Sequence, residues 1–128
     1  MHTAQEQRNL QHVLDMFHNV LVPLDSSQVD RYISPDYVQH SQMAAAGVDS
    51  LKQFLDDRRV DSPDSEQHLK RAFVDGDHVV LHLHVIRFKG DPGLAVVDIF
   101  RLEEGMIVEH WDCFQEVPVD SPNPNSMF

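Results

Sequence analysis

The sequence predicts an α+β domain with its helices packed on one face of an antiparallel sheet. Three observations carry that expectation. Apolar residues recur at three- and four-residue steps as far as Val60, they alternate with period two from His68 onward, and tight-turn sequences divide the second half into strands.

In the first segment Leu10, Val13, Leu14, Phe17 and Leu21 fall on one helix face, which Pro23 ends. Asp25, Ser26 and Ser27 can cap a second short helix through Tyr32 and Ile33. It stops near Pro35, because the residue before a proline is pushed away from helical angles. The stretch YVQHS, Tyr37 to Ser41, reads as a short extended piece, and Leu51, Phe54 and Leu55 mark a third helix reaching about Val60. After the turn-rich DSPDSE the predicted strands are His68 to Val74, Val79 to Phe88, Leu94 to Leu102 and Met106 to Val117. Asp75-Gly76-Asp77, the segment Lys89 to Gly93, and Glu104-Gly105 connect them, the last as a two-residue hairpin turn in which glycine supplies a positive φ. Residues 1–118 form one domain on this reading, and 119–128 form an extended tail with two prolines.

A chain of 128 residues is long enough for one core, and its 41% hydrophobic and 24% charged residues match a globular composition. No apolar run approaches the roughly 20 residues needed to span a bilayer, and the N-terminus lacks the blocks of a signal peptide, so a soluble cytoplasmic protein without a membrane partner is expected. Cys113 is the only cysteine and can form no intrachain disulfide. With 21 acidic against 10 basic residues, a net charge of −11 disfavours nucleic acid, whose backbone rewards clustered Lys and Arg. No glycine-rich phosphate loop or nucleophile elbow occurs.

Along the strand LAVVDIF, Val96, Asp98 and Phe100 share one face, leaving Asp98 a lone carboxylate among apolar neighbours. With Glu104 and Gly105 as the loop, Glu103 pairs with Met106, which sets Asp98 opposite Trp111 and Phe100 opposite Glu109. One face would then carry Asp98, Phe100, Glu109, Trp111 and Cys113. The other would carry Ile99, Arg101, Val108, His110 and Asp112, and a slip by one residue exchanges the faces of the last strand. A carboxylic acid on an apolar wall keeps its proton through desolvation and can donate a hydrogen bond to a substrate oxygen. His40, in YVQHS, has an imidazole suited to proton transfer near neutral pH. His82 and His84 share a face of VVLHLHVIRF, but Phe88 and Lys89 follow where further ligands would be needed, so no metal is expected.

Helix, helix, extended YVQH, helix and a long meander together resemble the cone-shaped nuclear-transport-factor-like fold, in which a strongly curved sheet encloses one pocket. Within it the chain resembles the SnoaL-like polyketide cyclases. The resemblance is carried by YVQHS, by DGDHVVLHLHV (Asp75 to Val85), by GLAVVDIFRLEEGMIVEHWD (Gly93 to Asp112) and by the ending NSMF. Ketosteroid isomerase shares the fold and uses an aspartate base with a protonated aspartate and a tyrosine in its oxyanion hole. The resemblance places His40 as catalytic base and Asp98 as oxyanion-binding acid. The tyrosine has no counterpart in the first helix, which shows Met16, Phe17 and His18.

The reading that follows is cofactor-independent proton transfer on a small hydrophobic carbonyl compound, by an isomerase or an aldol-type cyclase. His40 and Asp98 would be catalytic, and His84, Phe100, Glu109 and Trp111 would contact the substrate. A second reading is a non-catalytic ligand-binding or dimeric scaffold domain. A third is epoxide hydrolysis through Asp98, Glu109 and Asp112. The fold also implies a homodimer, for which Ile99, Arg101, Val108 and His110 offer a face and Met127 and Phe128 a reaching tail.

Overall fold

Thr3 starts the first helix. Its hydroxyl accepts the Glu6 N–H while the Glu6 carboxylate accepts the Thr3 N–H, and α1 (Ala4–Met16) runs from that reciprocal cap in the computed structural model, which describes residues 1–128. A wider turn follows over Phe17–Leu21, where the Val22 N–H reaches back five residues to the Phe17 carbonyl at 2.9 Å. Val13, Met16, Phe17 and Val20 are all buried along this stretch.

The second short helix, a 3-10 helix over Ser26–Arg31 capped by Asp25, ends before Tyr32. Ile33 belongs instead to strand β1 (Ile33–Gln39), and Pro35 sits inside that strand. Proline is tolerated there because β1 lies at the sheet edge, where a missing N–H leaves no ladder bond unmade. Helix α2 (Val48–Asp61) precedes β2 (Glu66–Asp75), β3 (His78–Ile86), β4 (Leu94–Glu103) and β5 (Met106–Glu116). The sheet order is β1-β5-β4-β3-β2. Four strands form the expected antiparallel meander, but β1 pairs parallel with β5, so the sheet is mixed rather than wholly antiparallel.

Burial alternates along the two central strands. Val79, Leu81 and Leu83 on β3 and Leu94, Val96, Asp98, Phe100 and Leu102 on β4 are all buried, facing the helices. The apolar ones among them join residues of α1, the 3-10 segment and α2 in a single cluster of 20 buried apolar side chains, with Asp98 the buried carboxylate beside it.

The last hairpin leaves its turn as expected, with Glu103 opposite Met106 and with Glu104 and Gly105 at φ 50° and 78°. Leu102 then faces Ile107, but Arg101 faces Glu109, so Val108 is an extra residue and β5 bulges. Beyond it Phe100 faces His110 and Asp98 faces Asp112. The expected pairs Asp98–Trp111 and Phe100–Glu109 are not formed, and the two faces of β5 are exchanged. His110 and Asp112 turn toward the helices, while Glu109, Trp111 and Cys113 turn to the opposite, outer face.

The β3–β4 connection is held by a buried carboxylate. Asp91 accepts from Arg87 Nε at 2.7 Å, from Arg87 Nη2 at 2.9 Å and from the Arg87 and Gly93 backbone N–H groups, and Arg87 also reaches Glu116 at 3.2 Å. Gly93 must be glycine: its φ is +96°, and a Cβ there would lie 2.6 Å from His84 Nε2 and 2.6 Å from the Val85 carbonyl oxygen. The Arg87 side chain, aided by those backbone N–H groups, holds the Asp91 carboxyl well below its ordinary value of 3.8. A depressed carboxylate stabilises the fold above its unfolded pKa and loses that contribution as pH falls through the native one. Asp91→Asn is therefore expected to lower the melting temperature at neutral pH, with the gap to wild type closing as the pH is taken below 3.8. Thermal denaturation at a series of pH values checks this; a gap independent of pH refutes it.

Candidate active site

A cavity of about 180 Å³ lies between the inner sheet face and α2, with walls that include Met16, Leu51, Phe54, Leu83, Val96 and Phe100. Arg58, Ser62, Ser65, Gln67 and Arg87 also line it, and at one end its polar groups are Tyr37, Gln39 and Ser41 from β1 and its exit, Asp98 from β4, and His110 and Asp112 from β5. The β5 bulge and the parallel pairing of β1 bring them together, since Gln39 lies directly opposite His110 on the neighbouring strand.

These groups form a hydrogen-bonded chain. Asp98 Oδ1 is 2.8 Å from His110 Nε2, and His110 Nδ1 is 2.7 Å from Gln39 Oε1. Gln39 Nε2 donates to the Tyr37 hydroxyl at 3.1 Å. The Ser41 backbone N–H, which can only donate, points at the same Gln39 atom at 3.0 Å, so that atom is the amide oxygen and His110 Nδ1 must carry a proton. One further proton is then shared between His110 Nε2 and Asp98. The His110 ring stacks on Phe100 with centroids 4.8 Å apart, which fixes its plane.

Two atoms of this chain remain open to the cavity. Asp98 Oδ2 accepts no hydrogen bond, although the residue is only 7% exposed. The Tyr37 hydroxyl accepts from Gln39 but has no acceptor for its own proton. Burial raises the pKa of that phenol, against the opposing pull of the Gln39 hydrogen bond, and keeps it a donor. Asp112 accepts from the Ser41 hydroxyl at 2.7 Å, so each of the two facing carboxylates has its own donor. Asp98, His110 and Asp112 offer ligand atoms within 4.8 Å of one another, a donor set a cation could use. Both His110 nitrogens are already engaged by Asp98 and Gln39, so an ion would have to displace the Asp98 contact.

Of the residues singled out from the sequence, Asp98 and Phe100 line the cavity. His40 does not: it lies on the outer face, with Nε2 at 2.8 Å from Glu109 and its ring parallel to Trp111 at 5.1 Å. Glu109, bonded by His40 and by Arg101, has its pKa lowered by those two partners. His84 is also on the outer face, at 2.8 Å from the Pro92 carbonyl and stacked under Phe128 at 4.3 Å. The tail therefore covers part of the outer sheet. Ile99 and Arg101 face outward as expected, whereas His110 does not. Tyr37 and Gln39 were not anticipated. Their signal was the period-two run Tyr37, Gln39, Ser41, which shares one strand face while Val38 and His40 share the other.

A helix-covered, open mixed sheet around an apolar cavity with a carboxylate–imidazole pair defines a small-ligand pocket protein of the NTF2-like cone type. The sequence model of the SnoaL-like polyketide cyclases matches residues 11–120, and the chain belongs to that family. No curated protein matches it. Among solved structures it is similar to a candidate polyketide cyclase of Bacillus cereus (18% identity, 88% of this chain and 78% of that one, TM-score 0.74). It is similar also to an NTF2-like protein of unknown function from Mesorhizobium loti (19%, 90% and 97%, TM-score 0.73). A third is a candidate ketosteroid isomerase of Kribbella flavida (15%, 93% and 86%, TM-score 0.74). At these identities the likeness is one of fold. No helix is long and apolar enough to cross a membrane.

Long-range proton–nitrogen NMR correlation of His110 is expected to show Nδ1 protonated in wild type. In Gln39→Leu the fold should lose roughly 1–3 kcal/mol in urea denaturation, the cost of leaving buried partners unpaired. An unprotonated Nδ1 in wild type would disprove the hydrogen-bonded chain.

Proposed function

We propose that the cavity carries out cofactor-independent proton transfer beside a carbonyl group, as an isomerase or an aldol-type cyclase. The observation that carries this reading is the Asp98–His110 pair, with one carboxylate oxygen left open toward an apolar cavity that a free phenol donor, Tyr37, also lines. Family membership and the shared cone fold support it.

In the ionised form of the pair, His110 Nε2–H donates to Asp98 Oδ1, and Oδ2 is free to take a proton from the carbon next to a substrate carbonyl. The electron pair of the broken C–H bond moves onto the carbonyl oxygen, where the Tyr37 hydroxyl donates to the developing enolate. Asp98 then returns the proton to a different carbon, giving an isomer. Alternatively, the enolate carbon forms a bond to a second carbonyl of the same molecule, whose oxygen receives the proton. Neither route changes oxidation state. Phe100, Val96 and Leu83 exclude water around the reacting carbon, which strengthens each of these interactions. His40, bonded to Glu109 on the other side of the sheet, takes no part.

Incubation in D₂O with a panel of cyclic ketones and β-keto esters, followed by mass spectrometry, reads α-proton exchange on any compound that enters the cavity. Asp98→Ala is expected to slow exchange by about 10²–10⁴-fold, and His40→Ala to leave it little changed. Equal losses in both variants, or ligand-dependent stabilisation without exchange on any compound, would reject the catalytic reading.

A further inference from the structure

We infer that the cavity has an anion subsite built on Arg58, and that its ligand is an apolar carbonyl compound bearing a carboxylate at the end remote from the reacting carbon. The inference deepens the proposed function and rests on it for the identity of the reacting end.

The inward stripe of α2 is Leu51, Phe54, Leu55 and Arg58, at the three- and four-residue steps of a buried face, continued by Ser62 at the C-terminal cap. Leu51, Phe54, Arg58 and Ser62 all line the cavity. A guanidinium on that stripe interrupts an apolar pattern; a cation in the last turn suits the helix dipole, but no acceptor within the chain engages this one. The Arg58 side chain forms no ion pair and no hydrogen bond. Its one contact is aromatic, the guanidinium carbon standing 5.5 Å from the Phe54 ring centre.

The neighbouring cations show what a structural arginine does in this protein. Arg59, the next residue, donates to the Leu24 carbonyl at 2.6 Å and to Asp56 at 2.9 Å. Arg87, the other cation on the cavity wall, is neutralised by Asp91 at 2.7 Å and by Glu116 at 3.2 Å. In a chain of net charge −11, carboxylates are abundant, yet none pairs with Arg58. No buried polar atom in the protein lacks a partner, so the Arg58 nitrogens open onto space rather than being sealed in the core.

Position gives the subsite its meaning. Ser62 caps α2, and Ser65, just before β2, donates its backbone N–H to the Ser62 carbonyl at 3.0 Å; both line the cavity with Gln67 of β2, and neither serine hydroxyl is engaged by another side chain. Gln67 pairs with Val85, and Val85 with Leu94, so this rim lies along one row across three strands. Asp98 is four residues further along β4, about 13 Å at ~3.3 Å per residue. The cavity thus has an acid–imidazole pole and a cationic pole, with an apolar wall of Leu83, Val96 and Phe54 between them. A planar guanidinium with adjacent hydroxyls matches a carboxylate.

Decanoate and 1-decanol, which share a chain length and differ in charge, test the subsite by displacement of the neutral fluorophore N-phenyl-1-naphthylamine. Ligand-induced shifts in melting temperature repeat the comparison without a reporter. In wild type, decanoate is expected to bind about tenfold more tightly than decanol at low salt, with the preference shrinking as salt is raised. Arg58→Gln, and Arg58→Met, which keeps the packing on Phe54, should bring the ratio near one while leaving decanol affinity unchanged. Asp98→Asn should keep the preference while abolishing exchange in D₂O. A preference absent in wild type, or intact in both Arg58 variants, overturns the inference. A preference that follows Arg58 in a protein showing no exchange would sustain the subsite and reject the catalytic reading.

Discussion

The site depends on one extra residue in β5. Without the bulge at Val108, the hairpin register would run unbroken from Glu103–Met106, and Trp111 would face Asp98 across the sheet. A buried carboxylate opposed by an indole would have no charged or strongly basic partner and would bear the full desolvation penalty of its charge. The bulge sets Asp112 opposite Asp98 and turns His110, opposite Phe100, to the same face, within hydrogen-bond reach of Asp98. It also sends Trp111 outward, where His40 and His78 lie against the ring at 5.1 and 6.0 Å between centroids. The inner chemistry and the outer aromatic cluster are thus two results of one local event, and neither can be altered by register without altering the other.

The second constraint is the edge strand. A meander alone would leave β5 at the boundary of the sheet with unpaired backbone groups. Parallel addition of β1 covers that edge and delivers Gln39 to His110, Tyr37 to Gln39 and Ser41 to Asp112. Sheet completion and assembly of the polar chain are the same step, which explains why so small a domain can hold four linked polar groups beside an apolar cavity.

What was legible in the sequence follows from this. The helix stripe of Val13 and Phe17, the alternation of Val96, Asp98 and Phe100, and the Glu104-Gly105 turn each reside in a few consecutive residues, where periodicity and φ preference act directly. Asp98 on an inner wall was readable for that reason. The last strand was not. In MIVEHWDCFQE each face carries an acid and an aromatic, Glu109 with Trp111 on one and Asp112 with Phe114 on the other, so no hydrophobic pattern selects the register. The partner of β1 is set by contacts some seventy residues away, as between Gln39 and His110 at a separation of 71, and local pattern carries no trace of them. His40 was singled out for its chemistry, whereas its strand parity assigned it to the other side from Tyr37.

The Gln39 amide has a consequence for the traffic of protons. By accepting from Nδ1 it turns the imidazole of His110 into a dead end: the ring can hold a proton against Asp98, but no basic nitrogen remains on its far side to hand one on to bulk water. A hydrogen lifted from a bound molecule therefore has no wire to solvent through the ring. It is traded for a solvent hydrogen by way of the cavity mouth, onto which the open Asp98 oxygen faces, and that is the path along which deuterium enters. A site wired in this way confines the traded hydrogen to Asp98 and the cavity, with the imidazole holding the charge rather than relaying the proton.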